Sequence, residues 1–287
     1  MLGFIFAFLA ALFKSTGEVL NKKILKEVDE YAVGSGVVFC SFLVTLPLLW
    51  YYGIPEIGPA FVPALLISGG INIVTILLQM KALKCSDLSV VSPMQAFAPL
   101  FVLILSPFIL GEVPGPLGVF GVLLIVFGSY FLHIKCHSRG VLEPLKALLK
   151  DRGARMMLAV TMLWSVSTIF DKVGVLNSSP IFWSAAALGF IAIGMNLLMA
   201  FHSKKSIRQI SPHMGSFFLI GLVGALTTIF QSAALGLIFA SYVSAIKRFS
   251  IVLGVIFGFF IFREKNIRER LLGALIMLLG VVLIALS

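Results

Sequence analysis

Two adjacent basic residues stand inside a stretch of sequence that otherwise suits a lipid bilayer. Lys247 and Arg248 belong to SAIKRFSIVLGVIFGFFIF, residues 244–262, which is apolar after the arginine. Charged side chains within a membrane are rare, and they usually face a cavity or a partner. Both lie about 12–14 Å from the nearer end of the predicted span, too deep to reach the interface comfortably. We therefore expect at least one of them to face a cavity. Neighbouring helical positions diverge by about 100°, so only one points straight in, and we favour Lys247.

Polar side chains recur at helical spacing in six of the predicted spans: one, three, four, six, eight and nine. Thr75 and Gln79 are four residues apart and therefore share one helix face. Thr227 and Gln231 repeat this spacing in the second half of the chain. Polar sets matched between the two halves favour a central cavity over separate packing roles. The predicted substrate-binding residues are Lys14, Glu18, Thr75, Gln79, Gln95, Trp164, Thr227, Gln231, Ser244, Lys247 and Arg248.

The sequence leaves open two partners for Glu18. Lys14 and Glu18 are four residues apart and could form an ion pair on the first helix. Lys247 and Arg248 would then leave the cavity net positive, which suits a substrate with a carboxylate or phosphate. If Glu18 instead reaches Lys247, the cavity is near neutral and suits a zwitterion or another polar metabolite.

Other charged residues near span ends are interpreted as structural. Asp171 and Lys172, near the outer end of the sixth span, are interpreted as an interfacial pair. Glu112 and Glu264 follow the fourth and ninth spans, where a carboxylate could accept hydrogen bonds from a helix end or fix the next turn. The fourth span also contains three prolines, which predict a kink.

Composition indicates a polytopic helical membrane protein. Of the 287 residues, 60% are hydrophobic and 12% are charged, with a mean hydropathy of +1.09; a soluble domain carries about twice that charged fraction. Apolar runs of roughly 20 residues, long enough to cross the hydrocarbon core, recur throughout, whereas a barrel would show alternating segments of about ten residues. The predicted spans are residues 2–21, 32–52, 60–82, 88–110, 116–134, 154–173, 180–202, 214–236, 239–262 and 268–286.

Basic residues are distributed unevenly between the two sides of the predicted topology. Of 22 Lys and Arg, eighteen lie in or beside the odd-to-even connections, and the opposite side holds only Lys172. Cytoplasmic connections carry the excess of basic residues. We therefore predict an integral, multi-pass protein of the plasma (inner) membrane with both termini outside. The first apolar stretch lacks a preceding basic region and is interpreted as a retained span.

The two halves of the chain are related at a constant offset of 152 residues. That offset places LLQMKAL, residues 77–83, on IFQSAAL, residues 229–235. Further equivalent pairs are Gly121 with Gly273, Gly128 with Gly280, and Glu112 with Glu264. Since each half holds five spans, an odd number, the halves insert with opposite orientations, as in many secondary transporters.

The predicted fold is therefore an all-α polytopic membrane protein with ten transmembrane helices in two inverted five-helix repeats. The first repeat is predicted over residues 1–134 and the second over residues 154–287. A basic, amphipathic linker is predicted over residues 135–153, where the longest connection lies.

Other functional classes have weaker support in the sequence. Cys40, Cys85 and Cys136 lie far apart, which indicates neither a disulfide framework nor a metal site. There is no Walker loop and no cluster of acidic residues of the kind membrane-embedded enzymes use. We predict no catalytic residue, no metal, no cofactor and no nucleic-acid partner. The expected partners are a small-molecule substrate, the lipid bilayer, and a coupling proton or an exchanged metabolite, for a monomer or homodimer.

Several motifs resemble the EamA repeat. FILGE ends the fourth span and is followed by the glycine-rich GVFGVLLIVFG, and the second half echoes both as FIFRE and LLGALIMLLG. QMKALKCSDLSVVSPM resembles the alanine-leucine and small-residue segment of the same repeat. The resemblance covers essentially the whole chain. It implies an EamA-type carrier of the drug/metabolite transporter superfamily, with a ten-helix inverted repeat and alternating access.

Two features depart from that pattern. LFKSTGEVLNK resembles the first helix of the small multidrug-resistance branch, but that branch's proton-carrying glutamate falls on Lys14 here. A lysine there argues against a lipophilic cation as the substrate, because like charges repel. Many family members are also described with cytoplasmic termini, whereas the charge distribution here predicts the reverse.

The predicted function is secondary transport of a small polar metabolite by alternating access through a central cavity. The substrate is expected to be an amino acid, a nucleotide-like compound or another anionic or zwitterionic compound. The alternatives are a flippase or carrier of lipid or lipid-linked sugar and, less favoured, an intramembrane enzyme.

Overall fold

The described part of the chain consists of ten α-helices with short connections. The computed structural model describes residues 1–24, 27–85, 92–134, 151–202, 211–250, 252–253 and 267–287. The helices are α1 Leu2–Ile24, α2 Glu30–Tyr52, α3 Phe61–Cys85, α4 Ala98–Leu110, α5 Pro116–Ile134, α6 Arg152–Leu176, α7 Pro180–His202, α8 Met214–Leu235, α9 Ala240–Lys247 and α10 Ile267–Ala285. These same residues contain no β-strand.

Each predicted span overlaps one of these helices, which confirms the all-α polytopic fold. Six helices are long and apolar enough to cross a membrane: α1, α2, α3, α6, α7 and α8. Shorter apolar helices cover Met94–Leu110, Pro116–Tyr130 and Leu272–Ala285. Much of the ninth predicted span, residues 254–262, lies outside the described residues, as does most of the predicted linker. The repeat and linker boundaries stay predictions.

The fourth span is divided into two kinds of helix. Ser92–Phe97 form a 3-10 turn, and α4 begins only at Ala98. Pro99 explains the change, because it has no N–H to donate to the carbonyl of residue 95 and its ring opposes a regular preceding turn. α4 then ends at Gly111, whose φ of 66° is left-handed and therefore suits glycine.

The described chain forms two compact units. Unit A comprises Leu2–Ile73 and Phe170–Leu237, and unit B comprises Val74–Ile169 and Ile238–Ser287 together with Met1. Each unit draws on both halves of the sequence, and both α3 and α6 contribute to each unit.

In unit B, α5 crosses α10 at paired glycines. A Cβ added to Gly121 would lie 2.7 Å from the backbone oxygen of Gly280, and a Cβ on Gly280 would lie 2.7 Å from that of Gly121. A Cβ on Gly128 would lie 2.8 Å from the oxygen of Gly273. Residue numbers thus rise along one helix as they fall along the other, so the helices are antiparallel. Because α5 and α10 are equivalent in the repeat, this crossing directly shows the inversion of the two repeats.

Unit A is built from helix pairs in which aromatic rings pack onto glycines. α1 and α2 pack against α8, and α2 also packs against α7. Phe217 of α8 is fully buried on Gly36 of α2, where an added Cβ would come within 3.0 Å of the ring. Trp183 of α7 is also buried and lies on Gly174 of α6. Small residues allow this close approach of helices in a membrane.

Candidate functional site

Lys247 and Arg248 lie where a short helix ends. α9 ends at Lys247, and the backbone N–H of Arg248 donates to the carbonyl of Ala245 at 3.0 Å. This i to i−3 bond tightens the final turn and interrupts the regular α-helical pattern. Residues 249–250 and 252–253 are helical again. The two cations therefore occupy an irregular turn within the ninth span, whereas the prediction treated this span as one uninterrupted helix.

The final turn of α9 brings positive charge into the protein interior. Arg248 is 5% exposed, Ser244 is 7% exposed and Lys247 is half-buried. Cations at a helix C-terminus interact favourably with the helix dipole, but a buried charge also needs pairing or hydrogen bonding. Arg248 is thus enclosed by protein, while a role for either cation in substrate binding stays a prediction.

The other end of α9 is held by a carboxylate. Oε2 of Glu112 accepts a hydrogen bond from the backbone N–H of Ala240 at 2.8 Å, and Glu112 is only 9% exposed. Phe239, the residue before α9, makes no capping bond with its side chain. Glu112 follows the left-handed Gly111 that ends α4 and satisfies an N–H that the helix itself cannot. This confirms the predicted structural role of Glu112; Glu264 lies outside the described residues.

We expect Glu112→Ala to destabilise the protein by about 1–3 kcal/mol, because it leaves the N–H of Ala240 buried without its carboxylate acceptor. Glu112→Gln keeps an acceptor oxygen and should lie between the wild type and the alanine variant. Thermal melting of the purified protein measures both effects. Glu56→Ala, in an exposed connection, is the control and should melt like the wild type. Equal melting of Glu112→Ala and Glu56→Ala would contradict the capping role.

Two other predicted residues of unit B lie on α6 or against it. Nε2 of Gln95, in the 3-10 turn before α4, is 3.7 Å from Sδ of Met157. Trp164 is half-buried and packs on an apolar cluster of unit B. That cluster consists of Ala82, Met94, Ala154, Met157 and Val160. The Trp164 ring therefore has a packing role, and its contact with a substrate stays a prediction.

Thr75 and Gln79 share a face of α3, as their spacing predicts. Thr75 is fully buried, whereas Gln79 is half-buried. Both residues belong to unit B. An amide at a half-buried position has donors and an acceptor for a polar ligand.

In unit A, Lys14 and Glu18 are close enough to form an ion pair on α1. Nζ of Lys14 lies 3.7 Å from Oε1 of Glu18, and the two side chains are 23% and 57% exposed. This is the first of the two pairings that the sequence left open. On α8, Oγ1 of Thr227 donates to the carbonyl of Val223 at 2.8 Å, and Gln231 is half-buried.

The repeated helices and their motifs match one protein family over nearly the whole sequence. The EamA-like transporter family matches residues 1–134 and, a second time, residues 151–286. The chain belongs to the EamA-like transporter family. It is therefore an integral, multi-pass membrane transporter of the drug/metabolite type.

Solved structures support the fold of this EamA-like transporter. One of them, titled "Crystal structure of protein", is 15% identical in sequence, with a TM-score of 0.78. The match covers 99% of this chain and 96% of that chain. At this identity the likeness shows the fold alone. No curated protein matches the sequence at a significant level.

The predicted binding residues of the EamA-like transporter fall in both units. Unit B contains Thr75, Gln79, Gln95, Trp164, Ser244, Lys247 and Arg248, and unit A contains Lys14, Glu18, Thr227 and Gln231. Within unit B, α9 packs against α4 and α5. The turn with Lys247 and Arg248 is thus supported by helices from the first half of the chain.

One polar cluster of unit A was not among the predicted binding residues. Oγ of Ser68 on α3 donates to Oδ1 of Asp171 on α6 at 2.5 Å, and Nδ2 of Asn72 donates to the carbonyl of Ser68 at 3.0 Å. α6 extends to Leu176, and Lys172 is buried at 7% exposure. Asp171 and Lys172 therefore lie within α6, with Lys172 enclosed by protein, and their position at the membrane interface stays a prediction. The spacing of Ser68 and Asn72, four residues on one helix face, was the available signal.

Proposed function

We propose that this EamA-like transporter moves a small anionic or zwitterionic metabolite by alternating access, with Lys247 as the main cation that binds it. The observation that supports this is the basic turn at the end of α9, where Arg248 is 5% exposed and Lys247 is half-buried. Attraction between opposite charges is stronger in a low-dielectric interior than in water. Ionisable residues inside membrane spans commonly mark the pathway of a substrate or ion.

The ion pair on α1 corresponds to the pairing for which the sequence predicts a net positive cavity and an anionic substrate. Lys14 and Glu18 largely offset each other's charge at 3.7 Å. Lys247 and Arg248 add two positive charges to the protein interior, at the end of α9. A carboxylate or phosphate is the complementary ligand chemistry, and guanidinium groups favour both.

A ligand screen tests the proposed substrate class. The purified protein is melted with matched sets of anionic, zwitterionic and cationic metabolites, since a ligand at a hundred times its Kd stabilises the folded state by about 2.7 kcal/mol. We expect members of the first two sets to raise the melting temperature and to be taken up by proteoliposomes. Stabilisation by cations alone, or by lipid-linked sugars alone, would overturn the proposal; the second result would favour flipping of a lipid-linked substrate.

We also propose that the protein lies in the plasma (inner) membrane with both termini outside. The support is the concentration of basic residues in the odd-to-even connections. A C-terminal alkaline phosphatase fusion is expected to be active in cells, and a C-terminal green fluorescent protein fusion to be dark. The opposite pair of results would place the C-terminus in the cytoplasm and reverse the topology.

A further inference from the structure

A pocket of about 450 Å³ lies at one end of unit A. It is found where α1 and α7 begin and where α2 and α8 end. Its walls include Phe6 of α1, Tyr52 of α2, Ile181 of α7, and Phe230 and Ala233 of α8. All of them belong to unit A. The volume and the mostly apolar lining are those of a small-molecule site.

Aromatic rings form an ordered column beside this pocket. The ring centroid of Phe230 lies 5.8 Å from that of Phe6 and 5.6 Å from that of Phe13. The rings of Phe230 and Phe13 are parallel to within 1°. Phe6 and Phe13 are seven residues apart, about two helical turns, and so share one face of α1. A further ring entering the pocket can contact Phe6 and Phe230 in the stacked or tilted geometries that aromatic groups prefer.

The polar groups of the pocket are neutral. Among the described residues that line it, none is charged, and the polar side chains are Tyr52 and Ser179. Oγ of Ser179 accepts from the backbone N–H of Phe182 at 3.2 Å, next to the start of α7. An uncharged ligand group therefore suits this pocket better than an ionic one.

The position of the pocket argues against an acyl chain as its occupant. Trp50, Tyr51 and Tyr52 at the end of α2 are 90%, 79% and 65% exposed, as is typical of aromatic residues at the membrane–water interface. The neighbouring lining residues Pro55 and Ser179 lie in connections and not in helices. The pocket therefore lies beside the connections that follow α2 and precede α7, and we place it at the membrane–water interface, where a solute can enter from water.

We propose that this pocket binds an uncharged aromatic group of the transported metabolite. This inference rests on the proposed function and narrows its substrate class to compounds that carry such a ring. Two predicted binding residues lie on the helices that carry the aromatic column, Lys14 on α1 with Phe6 and Phe13, and Gln231 on α8 with Phe230. The ring site and these polar positions therefore belong to the same pair of packed helices, α1 and α8.

Direct binding of a neutral aromatic probe tests the site. Radiolabelled N-acetyl-L-phenylalaninamide is bound to the full-length protein in nanodiscs, with N-acetyl-L-alaninamide as the matched probe without a ring. We expect binding of the first only. Phe230→Ala should weaken it by up to about tenfold, the factor that corresponds to loss of one aromatic pair. Ala233→Phe should abolish it by filling the pocket.

Phe201→Ala is the matched control variant, because Phe201 lies on α7 and is 83% exposed. It should bind the probe like the wild type. Gel filtration and melting verify that each variant is folded, and Ala233→Leu replaces Ala233→Phe if the larger side chain prevents folding. Retained probe binding in a folded, filled variant would overturn the proposal. So would equal binding of the two probes by the wild type.

Two further outcomes separate this inference from its premise. If the wild type binds no aromatic probe but is stabilised by metabolites in the screen, the ring site is wrong and the proposed function stands. If it binds no probe but carries phospholipid that Ala233→Phe loses, the pocket is a lipid site, which also overturns the inference. Probe binding without any stabilising metabolite would instead count against the proposed function.

Discussion

Alanine in place of Lys247 is expected to abolish transport while the protein still inserts and folds. Lys247 ends α9 and is half-buried next to Arg248, which is 5% exposed. Truncating one partner of a desolvated charge pair costs on the order of 2–5 kcal/mol, or about 30- to 4,000-fold in affinity. The measurement is uptake of the stabilising metabolite by proteoliposomes that contain equal amounts of wild-type and variant protein.

Two further variants separate the loss of a lysine at position 247 from the loss of a positive charge elsewhere on the protein. Lys81→Ala removes an exposed lysine on α3 and should leave uptake unchanged. Lys247→Arg keeps the charge and should retain part of the activity, since guanidinium and ammonium groups differ in geometry. Uptake by Lys247→Ala with wild-type kinetics would refute the assignment of this lysine to the binding site.

Valine in place of Gly280 is expected to have the largest effect on stability. Even the first added carbon would lie 2.7 Å from the backbone oxygen of Gly121, so no rotamer of the new side chain relieves the clash. Overpacking of this kind typically costs about 1–3 kcal/mol, and more when the backbone must move. We expect a lower melting temperature and a larger aggregated fraction on gel filtration.

The contact between Gly121 and Gly280 is reciprocal, so the same loss of stability is expected from a substitution at either residue. Gly121→Val places its Cβ 2.7 Å from the oxygen of Gly280, so the two single variants should lose similar stability. Gly70→Ala is the control, because nothing lies within 4 Å of an added Cβ at that position of α3. Wild-type melting of either valine variant would show that α5 and α10 do not cross as described.

Features set by local sequence were predictable, and these include the helices and their repeat. Runs of apolar residues located each α-helix that the structure describes, and the odd number of spans per half implied the inversion now seen where Gly121 meets Gly280. The spacing of Lys14 and Glu18 allowed their ion pair. The structural role of Glu112 was recognisable because this residue follows the fourth predicted span, next to the turn into the fifth.

Features that depend on packing between distant segments were not predictable from the sequence. The turn at Arg248 lies in an apolar stretch with no proline or glycine between residues 240 and 253 to indicate it. The contact of Ser68 with Asp171 joins residues 103 positions apart, so neither residue alone indicated the pair. The delayed start of α4 did have a local cause, Pro99, although a kink within a continuous span was the prediction.

The contact between α5 and α10 bears on the evolutionary origin of a protein with two repeats. Gly121 and Gly128 of α5 are the repeat equivalents of Gly273 and Gly280 of α10. Two equivalent helix faces therefore contact each other in this crossing, and the surface is self-complementary. Self-complementarity is what a symmetric dimer interface requires. A polypeptide that held a single five-helix repeat would therefore already contain both sides of this contact, and two copies of it could assemble before any fusion joined them.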